Sequence, residues 1–169
     1  MRHHLALATL ILSTLAGRAH AQRCRGCVPG VEDTIVRTHF APALGLHFGS
    51  PQKASAALGV VLGQTWQRNG ADHSRLLALY AEPGMSAGRA SLAFLDYGHG
   101  SFGSGVGIAA TALRTYNDPW TAKENMTYGG VEILLWPIVF IGPRIGMFHA
   151  ISGTTSKPWF MSLDFGIGL

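Results

Sequence analysis

Four ionisable residues lie far apart in the sequence, each within a segment that alternates between bulky apolar and small residues: Arg89, Glu132, Arg144 and Asp164. Each occupies a small-residue position, so we expect all four side chains on the same face of their strands. Guanidinium and carboxylate groups that meet in a nonpolar interior need to form hydrogen-bonded ion pairs. The pattern predicts a buried salt-bridged core, and it leaves open a ligand or proton site at the same place.

The order of these residues also predicts which one is central. Glu132 and Arg144 share the inward parity of neighbouring segments, and Asp164 lies on the next segment. We therefore expect Arg144 between two carboxylates.

His149 and Ser152 form a second pair with possible chemistry. A serine hydrolase needs its hydroxyl within hydrogen-bond reach of an imidazole that a carboxylate orients. The segment resembles the site of the lipid A 3-O-deacylases, outer-membrane barrels that use a His, a Ser and an acidic residue, and the resemblance implies a lipid-modifying hydrolase. That family separates His from Ser by two positions, whereas three separate them here, which predicts opposite faces of a regular strand. We expect a rim histidine beside a turn serine, without a third member in register.

Cys24 and Cys27 form a single Cys-x-x-Cys near the start of the chain. In an exported protein this spacing favours a small-loop disulfide. A metal site would need two further ligands, and a redox site would need the helix N-terminus of a thioredoxin-like scaffold. The histidines of the mature chain show no metal-ligand spacing, and the glycine-rich runs lack the helix that follows a phosphate-binding loop. No metal or cofactor is expected.

The N-terminal region predicts export. Arg2 supplies a positive start, Leu5 to Gly17 are apolar but too few to span a bilayer, and Ala19-His20-Ala21 forms a small-x-small cleavage site. We divide the chain into a signal peptide at 1–21, a periplasmic tail at 22–37 and one domain at 38–169.

The overall charge is less basic than it first looks. The whole chain has 13 Lys and Arg against 9 Asp and Glu, but from Thr38 onward the numbers are eight and seven. There is no electrostatic case for nucleic-acid binding.

Turn-forming residues divide the domain into eight segments of strand length, at about 39–48, 53–66, 75–82, 86–97, 102–115, 126–136, 140–150 and 158–169. One face of each segment is bulky and apolar, and the other is small. A soluble lipocalin-like barrel would need charged residues over its outside, and 13% charged residues cannot supply them. The faces favour a membrane barrel with a small-residue lumen.

Aromatic residues near the strand ends predict two interfacial girdles. One comprises Trp66, Tyr97 and Trp136, and the other comprises Tyr116, Trp120, Tyr128 and Trp159.

The last twelve residues, Pro158 to Leu169, form a period-2 strand with Trp159, Met161, Leu163, Phe165, Ile167 and Leu169 on one face. Together with the export signal, this strand resembles that of small Gram-negative outer-membrane barrels of the OmpA and OmpX type, although their terminal residue is usually Phe or Trp. The resemblance implies an eight-stranded antiparallel up-and-down transmembrane β-barrel. It also implies contacts with the outer-membrane assembly machinery, outer-membrane lipid and lipopolysaccharide. We expect a non-enzymatic barrel with a structural, adhesive or small-ligand role; the alternative is an outer-leaflet lipid hydrolase similar to the deacylases.

Overall fold

The computed structural model describes residues 37–68, 71–99, 104–137 and 141–168. The predicted signal peptide and the Cys24 and Cys27 pair lie outside these residues. The first described residue, Arg37, already belongs to a strand.

Eight antiparallel strands follow one another around a closed barrel, which confirms the predicted all-β, up-and-down architecture. Each strand pairs with its neighbours in the sequence, and β1 also pairs with β8. The alternation of bulky and small residues explains the strands, because a period of two puts one set on each face of a sheet. The strands are β1 (Arg37–Gly49), β2 (Lys53–Arg68), β3 (Ala71–Pro83), β4 (Ala87–His99), β5 (Ser104–Thr115), β6 (Thr127–Trp136), β7 (Ile141–Ser152) and β8 (Trp159–Gly168).

The connections differ between the two ends of the barrel. At one end, which we call the cap end, they are residues 50–52, 84–86, 116–126 and 153–158. At the other, the tail end, they are residues 69–70, 100–103 and 137–140. The cap end therefore carries the longest connection.

The long gap between the strands predicted at 53–66 and 75–82 is wrong. The two strands continue to Arg68 and from Ala71, and Trp66 is the register partner of His73. The rings of Trp66 and His73 stack with centroids 5.9 Å apart, and Arg75 lies 5.2 Å from the centre of the Trp66 ring. These polar residues extend the hairpin because aromatic and cationic cross-strand neighbours stabilise pairing.

The outer face of the barrel is apolar and exposed. The outward positions of 40–48, 54–62, 77–83, 88–94, 104–112, 129–135, 141–147 and 159–167 include no Asp, Glu, Lys, Arg or His. We call this surface the apolar belt. Phe40, Leu58 and Met161 are typical, with 75%, 65% and 67% of their surface exposed. The belt is far larger than the scattered apolar patches of a soluble protein surface.

Two layers of apolar side chains fill the ends of the interior. Toward the tail end, small residues pack with Leu95, Tyr97, Leu134 and Trp136. Toward the cap end, the packed residues include Leu113, Met126, Tyr128, Phe148 and Phe160. The rings of Phe148 and Phe160 stack, with centroids 5.2 Å apart.

Three of the residues predicted for the girdles lie in these interior layers instead. Tyr97, Trp136 and Tyr128 are only 4%, 5% and 1% exposed, so an interfacial position is wrong for them. Their parity explains the difference, because Tyr97 shares a face with Arg89 and the other two share a face with Glu132.

The other four girdle residues have different positions. Trp120 and Trp159 are more than half exposed at the cap end. Trp66 is half-buried near the tail end, and Tyr116 is half-buried at the start of the longest connection.

Among the described residues, no helix is long and apolar enough to cross a membrane.

Candidate functional site

Five charged side chains meet between the two apolar layers of the interior. They are Glu82 on β3, Arg89 on β4, Glu132 on β6, Arg144 on β7 and Asp164 on β8, and none is more than 3% exposed. We call these five residues the charge cluster. All four of the charged residues singled out in the sequence belong to it, and Glu82 is an addition.

Arg144 contacts all three carboxylates. Its two terminal nitrogens donate to the two oxygens of Glu82 at 2.8 and 2.9 Å, which is a bidentate arrangement. Its Nε lies 3.5 Å from Glu132 Oε1 and 3.5 Å from Asp164 Oδ2.

Arg89 contacts the same three carboxylates from β4. Its Nη1 donates to Glu132 Oε1, its Nη2 donates to Asp164 Oδ2 at 2.9 Å, and its Nε lies 4.0 Å from Glu82 Oε1. The expectation of one central arginine therefore changes: Arg144 and Arg89 share that role. Each carboxylate lies between two guanidinium groups.

Hydroxyl groups add hydrogen bonds to two of the three carboxylates, Glu132 and Glu82. Thr111 donates to Glu132 Oε2 at 2.5 Å and exchanges a hydrogen bond with Ser91 at 2.9 Å. Ser55 donates to Glu82 Oε1 at 2.6 Å, and His47 Nδ1 lies 3.4 Å from the same oxygen. These residues come from β5, β4, β2 and β1, so the cluster and its partners include a side chain from every strand.

Small residues make room for this network. A Cβ atom added to Gly146 would lie 2.6 Å from Ser162 Oγ and 3.0 Å from Glu132 Cγ. The glycine at position 146 thus leaves the volume that Glu132 and Ser162 occupy.

Sequence reasoning missed Glu82 and His47 for a physical reason. Glu82 lies beside the turn after β3, and its partner across the hairpin is Arg89. The sequence alone does not give the register of this hairpin, and the register decides which side chains face each other across it. The alternation of Ser74, Ala78 and Glu82 was the available signal.

The cluster can stabilise the barrel, because its charges form one connected network across the interior. Three carboxylates and two guanidinium groups form ion pairs with N···O distances of at most 4.0 Å. Across the described ranges, no group of three or more His, Cys, Asp or Glu side chains could hold a metal ion. Apolar side chains pack toward the tail end of the barrel, and others from β4 to β8 pack toward the cap end. The arrangement joins β3, β4, β6, β7 and β8 across the interior.

Residues 116–126 form a cap over one end of the barrel. The strands on either side of this loop close its base, because Thr115 N donates to Met126 O at 2.9 Å. Tyr116 OH donates to Gly84 O at 2.6 Å, and Lys53 Nζ pairs with Asp118 Oδ2 at 3.0 Å. The loop is therefore bonded to the connection at residues 84–86 and to Lys53, which directly follows the connection at residues 50–52.

The third connection is bonded to the cap as well. Lys123 Nζ donates to Thr154 O at 2.7 Å, which links the cap to residues 153–158. Ser50 and Thr121 exchange a hydrogen bond between their hydroxyls. Compact loops whose ends meet and whose side chains pack internally are often functional. This cap is held at four points rather than extended into solvent.

His149 and Ser152 lie at the cap end of β7, where the strand is irregular. Tyr128 is the register partner of Ala150, but Thr127 is that of Ser152, so Ile151 is an extra residue in a bulge. A bulge shifts the alternation by one position. Ser152 therefore lies opposite an outward position of β6, and the expectation of opposite faces for His149 and Ser152 is wrong.

The bulge does not create a catalytic pair. His149 and Ser152 are both described, and no hydrogen bond joins them; the imidazole packs against Trp159, with ring centroids 4.4 Å apart. Asp164, the only acidic residue after this segment, belongs to the charge cluster. The hydroxyl, imidazole and carboxylate geometry of a serine hydrolase is therefore not assembled here.

Comparisons with known proteins add no family to this description. No protein-family model, no curated protein and no solved structure matches the chain. The function must therefore be inferred from the barrel, the charge cluster and the cap.

Proposed function

We propose that this protein is a non-enzymatic outer-membrane barrel with a closed interior, and that it has a structural or ligand-binding role at the membrane surface. One observation carries the proposal: the charged residues are buried and paired inside, while the large apolar residues are exposed outside. This distribution is the reverse of a water-soluble barrel and is typical of a barrel surrounded by lipid.

The extent of the apolar belt supports insertion. Its outward positions span nine residues on β1, β2, β5 and β8, for example Phe40 to Phe48. A tilted strand needs about 9–11 residues to cross the hydrocarbon core of a bilayer. Closure of the barrel also satisfies the backbone groups, which have no water to bind inside a membrane.

The positions of charged residues mark both edges of the belt. Arg75 and Asp96 pair at 3.1 Å on the outer face near the tail end. Arg114 lies on the outer face at the cap end and donates to Thr127 at 2.9 Å. Charges on the outside of such a barrel are tolerated near the interfaces and costly at mid-depth.

The connections favour one orientation. Bacterial outer-membrane barrels have short periplasmic turns and longer extracellular loops. The cap end would then face the exterior, and the tail end, where β1 starts, would face the periplasm. This direction agrees with a tail at 22–37 that remains in the periplasm.

A filled interior argues against a general pore. Two apolar layers occupy the ends of the interior, and the charge cluster lies between these layers. The cap covers one mouth of the barrel. We therefore favour a structural, adhesive or ligand-binding role over solute conduction.

Fractionation of cells that express the full chain tests the proposal. The protein should be recovered with outer membranes and should remain there after extraction with alkaline carbonate. It should also migrate differently on a gel with and without boiling, because a closed barrel resists unfolding by detergent. Recovery as a soluble periplasmic protein would contradict the proposal.

A second candidate, an outer-leaflet lipid hydrolase, is favoured by one observation. The bulge at Ile151 puts Ser152 opposite an outward position of β6, on the side that carries His149. Mass spectrometry of lipid A, with and without expression, decides this candidate. We expect an unchanged acyl pattern for the natural chain and for Ser152→Ala; loss of an acyl chain with the natural chain only would establish the hydrolase.

A further inference from the structure

A cleft of about 290 Å³ opens at the cap end between the cap and residues 153–158. Its volume is close to the lower limit of small-molecule sites, at ~300 Å³. The lining residues are Thr121, Ala122, Lys123, Tyr128, Thr155, Ser156, Lys157, Trp159 and Phe160. The set includes two ammonium groups and three aliphatic hydroxyls, but no carboxylate.

The charges of the lining indicate an anionic ligand. Lys157 Nζ has no hydrogen-bond or ion-pair partner among the described residues, so its charge is available. Lys123 also lines the cleft, and its Nζ donates to Thr154 O at 2.7 Å, which leaves two of its three donors. Ammonium groups bind phosphate as point charges.

The walls are held in place before any ligand binds. Tyr128 OH accepts from Lys123 N at 3.1 Å, and Thr115 Oγ1 donates to Lys123 O at 2.6 Å. Thr155 Oγ1 accepts from Lys157 N at 3.2 Å, so the other wall has a local turn. A site with ordered backbone loses less entropy on binding than a mobile loop does.

Aromatic side chains provide the remaining surface. Tyr128 is buried beneath the cleft and contacts Phe160 edge to face, with centroids 4.8 Å apart. Trp159 is 58% exposed and lies at the end of the apolar belt. An exposed indole beside cations and hydroxyls suits a ring that has both CH and OH groups, because one face of such a ring is apolar and its edges are polar.

We propose that this cleft binds a phosphorylated sugar, with Lys123 and Lys157 on the phosphate and Trp159 against the sugar ring. The sugar phosphate is either the headgroup of a glycolipid in the outer leaflet or a free molecule. The lipid source rests on the proposed membrane location, since the belt ends beside Trp159. The binding chemistry itself does not depend on that location.

Titration of the purified, folded full barrel tests the proposal. In the soluble arm the barrel is in zwitterionic detergent, and the probes are N-acetylglucosamine 1-phosphate, N-acetylglucosamine and inorganic phosphate. In the lipid arm it is in phosphocholine nanodiscs with bis-phosphorylated or dephosphorylated lipid A. Isothermal calorimetry measures the soluble probes, and native mass spectrometry counts the bound lipid. Unboiled gel migration verifies that each variant is folded.

We expect binding of the phosphorylated probe and not of the unphosphorylated sugar. Lys157→Ala should weaken it about tenfold, and the double variant Lys123→Ala/Lys157→Ala should abolish it, because hydrogen bonds to charged groups are the strong ones. Trp159→Leu should weaken binding of the sugar phosphate but not binding of inorganic phosphate. Arg114→Ala, which removes a cation from the same end outside the cleft, should bind normally.

The two arms identify the source of the ligand. Tighter binding of phosphorylated lipid A than of the free sugar phosphate would assign a lipid headgroup, and the reverse would assign a soluble ligand. Equal affinity of the natural chain and the double variant would overturn the proposal, as would no binding in either arm. Because the soluble arm needs no membrane, such a result would leave the proposed membrane location standing.

Discussion

The inside and the outside of this barrel are built from alternate residues of the same strands, yet they follow opposite rules. In β8, Ser162 and Asp164 face inward and are 1% exposed, while Met161, Leu163 and Phe165 face outward and are more than half exposed. Inside, each charge of the charge cluster forms ion pairs with two or more groups of opposite charge. Outside, the belt has no charge at all. The difference teaches that charge lies inside this barrel where opposite charges can pair, whereas the outer belt excludes charge.

The largest expected effect comes from disrupting the charge cluster inside the barrel. Arg144→Met should lower the free energy of unfolding by about 3–5 kcal/mol, because the three carboxylates would then share one arginine. Equilibrium urea unfolding in phosphocholine vesicles, followed by tryptophan fluorescence, measures this change. The double variant Arg144→Met/Glu82→Gln is the matched control.

The control should recover part of the loss, because Glu82 accepts both of the closest Arg144 hydrogen bonds. An effect of Arg144→Met below about 1 kcal/mol, the range of exposed salt bridges, would mean that the charge cluster does not stabilise the barrel.

The next effect comes from placing a charge on the outside. Leu163→Arg puts a guanidinium in the middle of the belt and should cost about 2–4 kcal/mol in a bilayer. Thr38→Arg, an exposed outward position close to the tail-end edge, should cost at most about 1 kcal/mol. The same unfolding measurement compares them. Equal costs for the two variants would show that the belt does not lie in hydrocarbon.

The smallest expected effect concerns an ion pair that lies neither in the charge cluster nor on the apolar belt. Lys53 and Asp118 pair at 3.0 Å, but the carboxylate side chain is 95% exposed. Lys53→Ala should change the free energy of unfolding by less than about 1 kcal/mol, since exposed pairs in water contribute little. Limited proteolysis of the cap provides a second measurement. A loss comparable to that of Arg144→Met would remove the contrast between paired charges inside and at the surface.

Much of the barrel could be predicted from the sequence. The eight strands lie within a few residues of their predicted positions, because period-2 alternation and the turn residues between segments are local signals. The inward positions of Arg89, Glu132, Arg144 and Asp164 were also predictable, since side chains of the same parity in one strand share one face. The contrast between a bulky apolar face and a small polar face was enough to predict which face of each strand points outward and which points inward.

What the sequence did not decide depends on register and on contacts between distant strands. Glu82 joins the charge cluster because the β3–β4 hairpin pairs it with Arg89, and a shift of one residue would have turned it outward. The bulge at Ile151 changes the side on which Ser152 lies, and local alternation cannot reveal it. The cap crosses to Lys53 and Thr154, which are remote in the chain. The sequence alone determined the strands and their faces, because these depend on the nearest neighbours along the chain. Closure of the barrel decided which of those faces meet.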